Sequence, residues 1–115
     1  MFIHMDGQEV FKFAVKSVPT AIETLLHNNN MNVDDVDKFI LHQANVRIIE
    51  SVAKRLKADK DKFPVNLNEY GNTSSASIPI LLDELNRNGS LKQGEKLILA
   101  GFGAGLSWGS ILLVW

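Results

Sequence analysis

The sequence predicts a layered α/β unit. Three observations carry this: apolar residues at helical spacing in three segments, an uninterrupted apolar run at Phe39-Ile40-Leu41, and two β-type segments joined by a glycine-rich turn near the carboxy end. The order is helix, strand, helix, helix, strand, strand, with no repeat, linker or low-complexity tract between elements.

In Val10–His27, the residues Phe11, Ala14, Val15, Val18, Ile22, Leu25 and Leu26 form one helical stripe, with Pro19 in its middle. Proline removes a backbone donor and crowds the preceding turn, so one kinked helix is expected, with a break near Ser17 as the alternative. Asn28, Asn29 and Asn30 end it, and Asp37–His42 follows as a short strand buried on both faces. Asn45 is placed to cap a second helix running to Lys57, with Ile48, Ile49, Val52, Ala53 and Leu56 inward and Arg47, Glu50, Lys54 and Arg55 outward. Glu50 and Lys54 have the spacing of a favourable ion pair.

After an extended FPVNL stretch, a third helix is expected from Ser74 to Asn88, stopped by Gly89. Small and apolar residues surround most of its first three turns, which suits a helix sandwiched between layers. Lys96–Phe102 and Leu106–Val114 read as two strands around the Gly103-Ala104-Gly105 turn. This much apolar surface exceeds what 115 residues cover, so something else is expected to pack against the unit.

Composition narrows the function. A hydrophobic content of 45% belongs to a globular chain, and a net charge of −1, from 12 basic and 13 acidic residues, argues against broad electrostatic binding to nucleic acid or an anionic membrane. There is no cysteine, which excludes disulfides, thiolate metal sites and a thiol nucleophile supplied by this chain. The opening MFIHMDGQEVF lacks a basic region followed by a long apolar run, and the closing ILLVW is too short to cross a bilayer, so a soluble cytoplasmic protein is expected.

Two polar residues stand where functional groups gather. His42 lies where the apolar strand meets a helix amino terminus; alone it reads first as a structural histidine bonded to a nearby carbonyl. Asn72 precedes the third helix, near its positive end; alone it reads first as part of a Tyr70-Gly71-Asn72 turn. Together, an imidazole N–H and an amide N–H aimed at one point make a site for a carbonyl oxygen that gains negative charge. The Gly101–Gly105 run lies between two strands, which rejects a dinucleotide-binding loop and leaves a hairpin, a backbone approaching a ligand, or both. His4 and His27 have no partner motif.

DKFILHQANVRIIESVAKRL, EYGNTSSASIPILLDEL and GFGAGLSWGSILLVW, in this order, resemble the second half of β-ketoacyl-acyl-carrier-protein synthase III, and MDGQEVFKFAV resembles the segment that opens it. The resemblance implies half of a thiolase-like fold, a mixed sheet packed with helices in which the Ser74–Asn88 helix is the central one. Each half of that fold carries a five-stranded sheet. It also implies that residues 1–115 are a carboxy-terminal domain whose cysteine-bearing amino-terminal half is absent.

The implied activity is the condensation that initiates fatty-acid synthesis, from acyl-CoA and malonyl-acyl-carrier protein, with no metal or other cofactor and with a homodimer as the full enzyme. His42 and Asn72 take the catalytic role of enolate stabilisers. The Ala104 N–H takes a place in an oxyanion hole, where the family often has glycine and a positive φ would suit alanine poorly. Phe102 takes the active-site floor or plain core packing, and Arg47 a place in docking the acidic carrier protein. Lys54 and Arg55 extend the same basic face. Other readings are a non-catalytic module that self-associates, and the corresponding half of a related acyltransferase or polyketide-type synthase.

Overall fold

The computed structural model describes His4–Trp115; Met1, Phe2 and Ile3, part of the segment read for a leader, lie outside the described residues. Helix α1 spans Gly7–Asn28, and Asp6 caps it by accepting the Gln8 and Glu9 N–H groups at 3.1 and 3.2 Å. That cap starts the helix three residues before Val10. The helix runs unbroken past Ser17 and through Pro19, whose ring is buried within the Ala14, Val18, Ile22, Leu26 stripe.

Strand β1 is Lys38–Leu41, helix α2 is Val46–Leu56, and a short helix α3, Leu67–Tyr70, follows the extended Pro64–Val65 stretch. Helix α4 is Ser77–Arg87; strands β2, Lys96–Gly103, and β3, Ser107–Val114, close the chain. Single 3₁₀ turns lie at Val33–Asp35, Lys60–Lys62 and Ser74–Ala76.

The sheet order is β1-β2-β3, with β1 parallel to β2 and β2 antiparallel to β3. Its pleat divides the core. Phe39, Leu41, Ile98 and Ala100 face the helices α1 and α2, where Phe39 stacks on Phe63 with ring centroids 4.5 Å apart. Ile40 and Leu97 point the other way, onto Leu81 and Leu85 of α4. The expected mixed sheet between helices is therefore present, with three strands among the described residues where a full half of the thiolase-like fold carries five.

The third helix starts later than expected. Asn72 Oδ1 accepts the Ser74 N–H at 3.0 Å, and Ser74 takes a φ of +53°, so Ser74–Ala76 forms a 3₁₀ turn and the α-helix begins at Ser77. Pro79 then falls in the first turn, where a missing N–H costs no helical bond. The end is as expected: Asn88 caps the helix and Gly89 follows with a φ of +80°. Among the described residues α4 is covered on one side only, and Ala76, Pro79, Asp83 and Asn86 form an open stripe opposite the sheet.

Among the described residues the ion pairs are Lys12–Glu9, Lys38–Glu95 and Arg87–Asp83; Glu50 and Lys54, both exposed, do not form one. Exposed pairs gain little over hydration, so the correct spacing is a weak instruction. No helix among the described residues is long and apolar enough to cross a membrane.

Candidate active site

His42 is the first residue beyond β1. Its N–H donates to the Ala100 carbonyl at 2.9 Å, which carries the chain one step past the strand end and places the imidazole at the carboxy edge of the parallel pair. The Phe102 ring, on the neighbouring strand β2, meets the imidazole edge to face. On the other side, Ser77 at the start of α4 places its Oγ 2.6 Å from His42 Nδ1. Burial pushes the His42 pKa below its ordinary value, which favours the neutral ring.

The segment after His42 is held by a buried polar chain. Gln43, almost fully buried, donates from Nε2 to the Leu41 carbonyl at 2.8 Å and accepts the Asn66 N–H on Oε1 at 3.1 Å. Asn66 in turn donates from Nδ2 to Glu84 Oε2 of α4 at 3.2 Å. One chain of hydrogen bonds thus ties the β1–α2 corner to the Asn66 segment and to the helix beneath. Neither Gln43 nor Ser77 stood out in the sequence. Both types are common at polar surfaces, and only the positions beside His42 and four residues before Leu81 were available as signals.

Asn72 is exposed at the other side of the site. Because its Oδ1 accepts a backbone N–H, the amide nitrogen Nδ2 is the end left to donate outward. His42, Asn72, Phe102, Ala104 and Arg47 all line one open cavity of about 1370 Å³. A smaller recess of about 370 Å³ adjoins it and is shared by His42, Asn72, Ser77, Phe102 and Ala104.

Gly101–Gly105 forms the end of β2 and the hairpin turn, with Gly105 at a φ of +136° and its Cβ position 3.1 Å from the Ser107 nitrogen. Ala104 is not among the positive-φ residues, so alanine meets no backbone penalty there. Its carbonyl accepts the Ser107 hydroxyl at 2.8 Å. Arg47 opens α2 beside the cavity, where its guanidinium lies 5.2 Å from the centre of the Phe11 ring. Lys54 and Arg55 are exposed in the last turn of α2 and lie outside the cavity lining. Among the described residues no three His, Asp or Glu side chains are grouped to hold a metal ion.

Fold and site together define an α/β unit that presents an imidazole and an amide to one open cavity without a cysteine of its own, an arrangement suited to polarising a carbonyl. The chain belongs to the family of 3-oxoacyl-acyl-carrier-protein synthase III carboxy-terminal domains, which matches residues 26–115. It is 54% identical over 114 residues to the β-ketoacyl-acyl-carrier-protein synthase III of Clostridium tetani, covering 99% of this chain and 34% of that protein. The crystal structure of 3-oxoacyl-acyl-carrier-protein synthase III from Aquifex aeolicus superposes with a TM-score of 0.96 at 42% identity, over 99% of this chain and 37% of that one. A priming β-ketosynthase of the R1128 polyketide biosynthetic pathway superposes with a TM-score of 0.87 at 38% identity, over 96% of this chain and 34% of that one. The chain thus spans about a third of the length of the curated relatives it matches, less than the half expected.

Proposed function

We propose that this chain is the carboxy-terminal, enolate-stabilising part of a condensing enzyme that joins an acyl group from acyl-CoA to malonyl-acyl-carrier protein, releasing carbon dioxide and CoA. A cysteine from the remainder of the enzyme takes the acyl group as a thioester. His42 and Asn72 then donate hydrogen bonds to the malonyl thioester oxygen, stabilising the enolate left as the carboxylate departs, and the enolate carbon attacks the acyl-cysteine. The Ala104 N–H contributes to the oxyanion hole of that attack, and Phe102 forms the wall behind His42. The reaction itself needs no metal or redox cofactor, because an electron pair from the departing carboxylate supplies the carbanion.

The observation that carries the reading is that Asn72, whose Oδ1 accepts the Ser74 N–H, and His42, whose pKa burial lowers, line the same cavity. Arg47, at the edge of that cavity, is the proposed contact for the acidic carrier protein, with Lys54 and Arg55 contributing at longer range along α2. The complete enzyme is proposed to be a cytoplasmic homodimer.

The experiment is complementation. This chain, mixed with a separately produced amino-terminal part of a relative carrying the cysteine, should restore decarboxylative condensation, and His42→Ala or Asn72→Ala should each lower the restored rate by roughly 10²–10³-fold. Restored activity that is indifferent to both substitutions would overturn the assignment. A second reading, a module that self-associates without catalysis, is favoured by one observation: Trp108, Ile111 and Val114 on β3 are 53%, 60% and 61% exposed.

A further inference from the structure

We infer that Ser77 is a positioning residue for His42: its hydroxyl donates to Nδ1 and so fixes the ring in the tautomer that carries its proton on Nε2. The inference deepens the proposed role of His42 and rests on it for its functional meaning, but not for its test.

The geometry decides the direction of this hydrogen bond. Ser77 is buried in the first turn of α4, 3% exposed, and its Oγ has two partners among the described residues: His42 Nδ1 at 2.6 Å and the backbone N–H of Gln43 at 3.2 Å. The Gln43 N–H can only donate, so it takes a lone pair of Oγ. If His42 Nδ1 also carried a proton, Oγ would accept twice and its own hydrogen would be buried without an acceptor, an arrangement folded proteins avoid. With Nδ1 unprotonated, the Ser77 O–H donates to it and every group is satisfied. In the neutral ring the remaining proton must then sit on Nε2.

The consequence for the site follows. An imidazole with its proton on Nδ1 would turn an acceptor lone pair on Nε2 toward the cavity and repel a developing oxyanion, whereas the Nε2–H form offers a donor. Ser77 also holds the Gln43 backbone, so a single hydroxyl fixes both the ring and the corner from which the ring projects. Asn72 is set in a similar way: its Oδ1 accepts a scaffold N–H, which orients the amide with the donor Nδ2 at the other end. Ser77 touches no reacting atom in this scheme; it acts through His42.

The test reads the tautomer directly. Long-range proton–nitrogen NMR on this chain labelled with ¹⁵N in its imidazoles, at about pH 8 where a histidine ring is neutral, should give His42 Nδ1 an unprotonated-type shift and Nε2 a protonated-type shift. His42→Asn assigns the signals against those of His4 and His27. Ser77→Ala should let the two nitrogen shifts move toward each other as the tautomers mix, and Ser77→Thr, which keeps the hydroxyl, should restore the separation. If Ser77→Ala does not fold, Ser77→Cys, of similar size and a weaker donor, makes the same comparison. A protonated Nδ1 in the unsubstituted chain, or a tautomer unchanged by loss of the hydroxyl, would overturn the inference. Because the readout is a ring shift and not turnover, it stands apart from the outcome of the complementation experiment.

Discussion

The rings of His42 and Phe102 meet edge to face, their centroids 5.1 Å apart and their planes at 71°, at the ends of adjacent parallel strands. This contact fixes one side of the imidazole, while Ser77 holds the other. Edge-to-face pairs contribute about 0.5–1.5 kcal/mol beyond the area they bury. Phe102 is half-buried, so Phe102→Ala should cost about 1–3 kcal/mol, less than the ~3–5 kcal/mol of a fully buried phenylalanine. Urea denaturation measures the loss, and the His42 ring resonances should broaden as the ring gains freedom. Unchanged line widths would show that Phe102 packs beside the ring without restraining it.

Gln43 gives a sharper stability prediction. Its side chain satisfies two backbone groups, the Leu41 carbonyl and the Asn66 N–H, in a site where Gln43 is only 1% exposed and Asn66 4% exposed. Gln43→Leu fills the volume but leaves both groups unpaired, at about 1–3 kcal/mol each. The expected loss is therefore roughly 2–6 kcal/mol, and Gln43→Glu should recover part of it, since a carboxylate oxygen still accepts the Asn66 N–H. A loss below about 0.5 kcal/mol for Gln43→Leu would mean that water reaches these groups.

The layered fold was legible because its signals are periodic: Phe39-Ile40-Leu41 announces a strand buried on both faces, and the Ala14, Val18, Ile22, Leu26 stripe outweighs Pro19. The start of α4 was not, because a side chain and not a propensity sets it. Asn72 captures the Ser74 N–H and bends the chain before the helix can form, and Pro79 was the available warning, since a helix begun at Ser74 would have carried it in its interior. His42, Asn72, Phe102, Ala104 and Arg47 were legible as candidates from position and resemblance, and all five line one cavity. Ser77 and Gln43 were not, because what they do depends on burial and on partners 34 or 35 and 23 residues away in the chain.

The β3 strand carries a prediction about association. Among the described residues it has a single strand neighbour, β2, and Trp108, Ile111 and Val114 are more than half exposed, with Trp108 touching Phe13 of α1 edge to face. Trp108 and Val114 lie on the α1 face of this edge strand and Ile111 on the α4 face, and apolar side chains exposed on both sides of a strand edge favour pairing with another chain. The isolated chain should therefore bind a hydrophobic dye and sediment as a concentration-dependent mixture of monomer and larger species. Ile111→Lys, which places charge on the edge, should shift the mixture toward monomer. A clean monomer without dye binding would show that this surface is too small or too interrupted to drive association.

His42 should give the stability of the chain a pH dependence. Burial holds its folded-state pKa below the ordinary 6.5, while the unfolded chain takes up a proton at the ordinary value. Between those two values the unfolded state binds more protons than the folded state, so acidification favours unfolding there. The neutral ring's contribution is thus fully present above about pH 6.5 and is lost as the pH falls toward the folded value. His42→Gln removes this titration and keeps a side chain of similar reach. The difference in urea midpoint between the unsubstituted chain and His42→Gln should be flat above about pH 6.5 and should fall below it. A difference that grew on acidification would mean that His42 gains a proton on folding, and would make it a cationic group in the site instead of the neutral donor proposed.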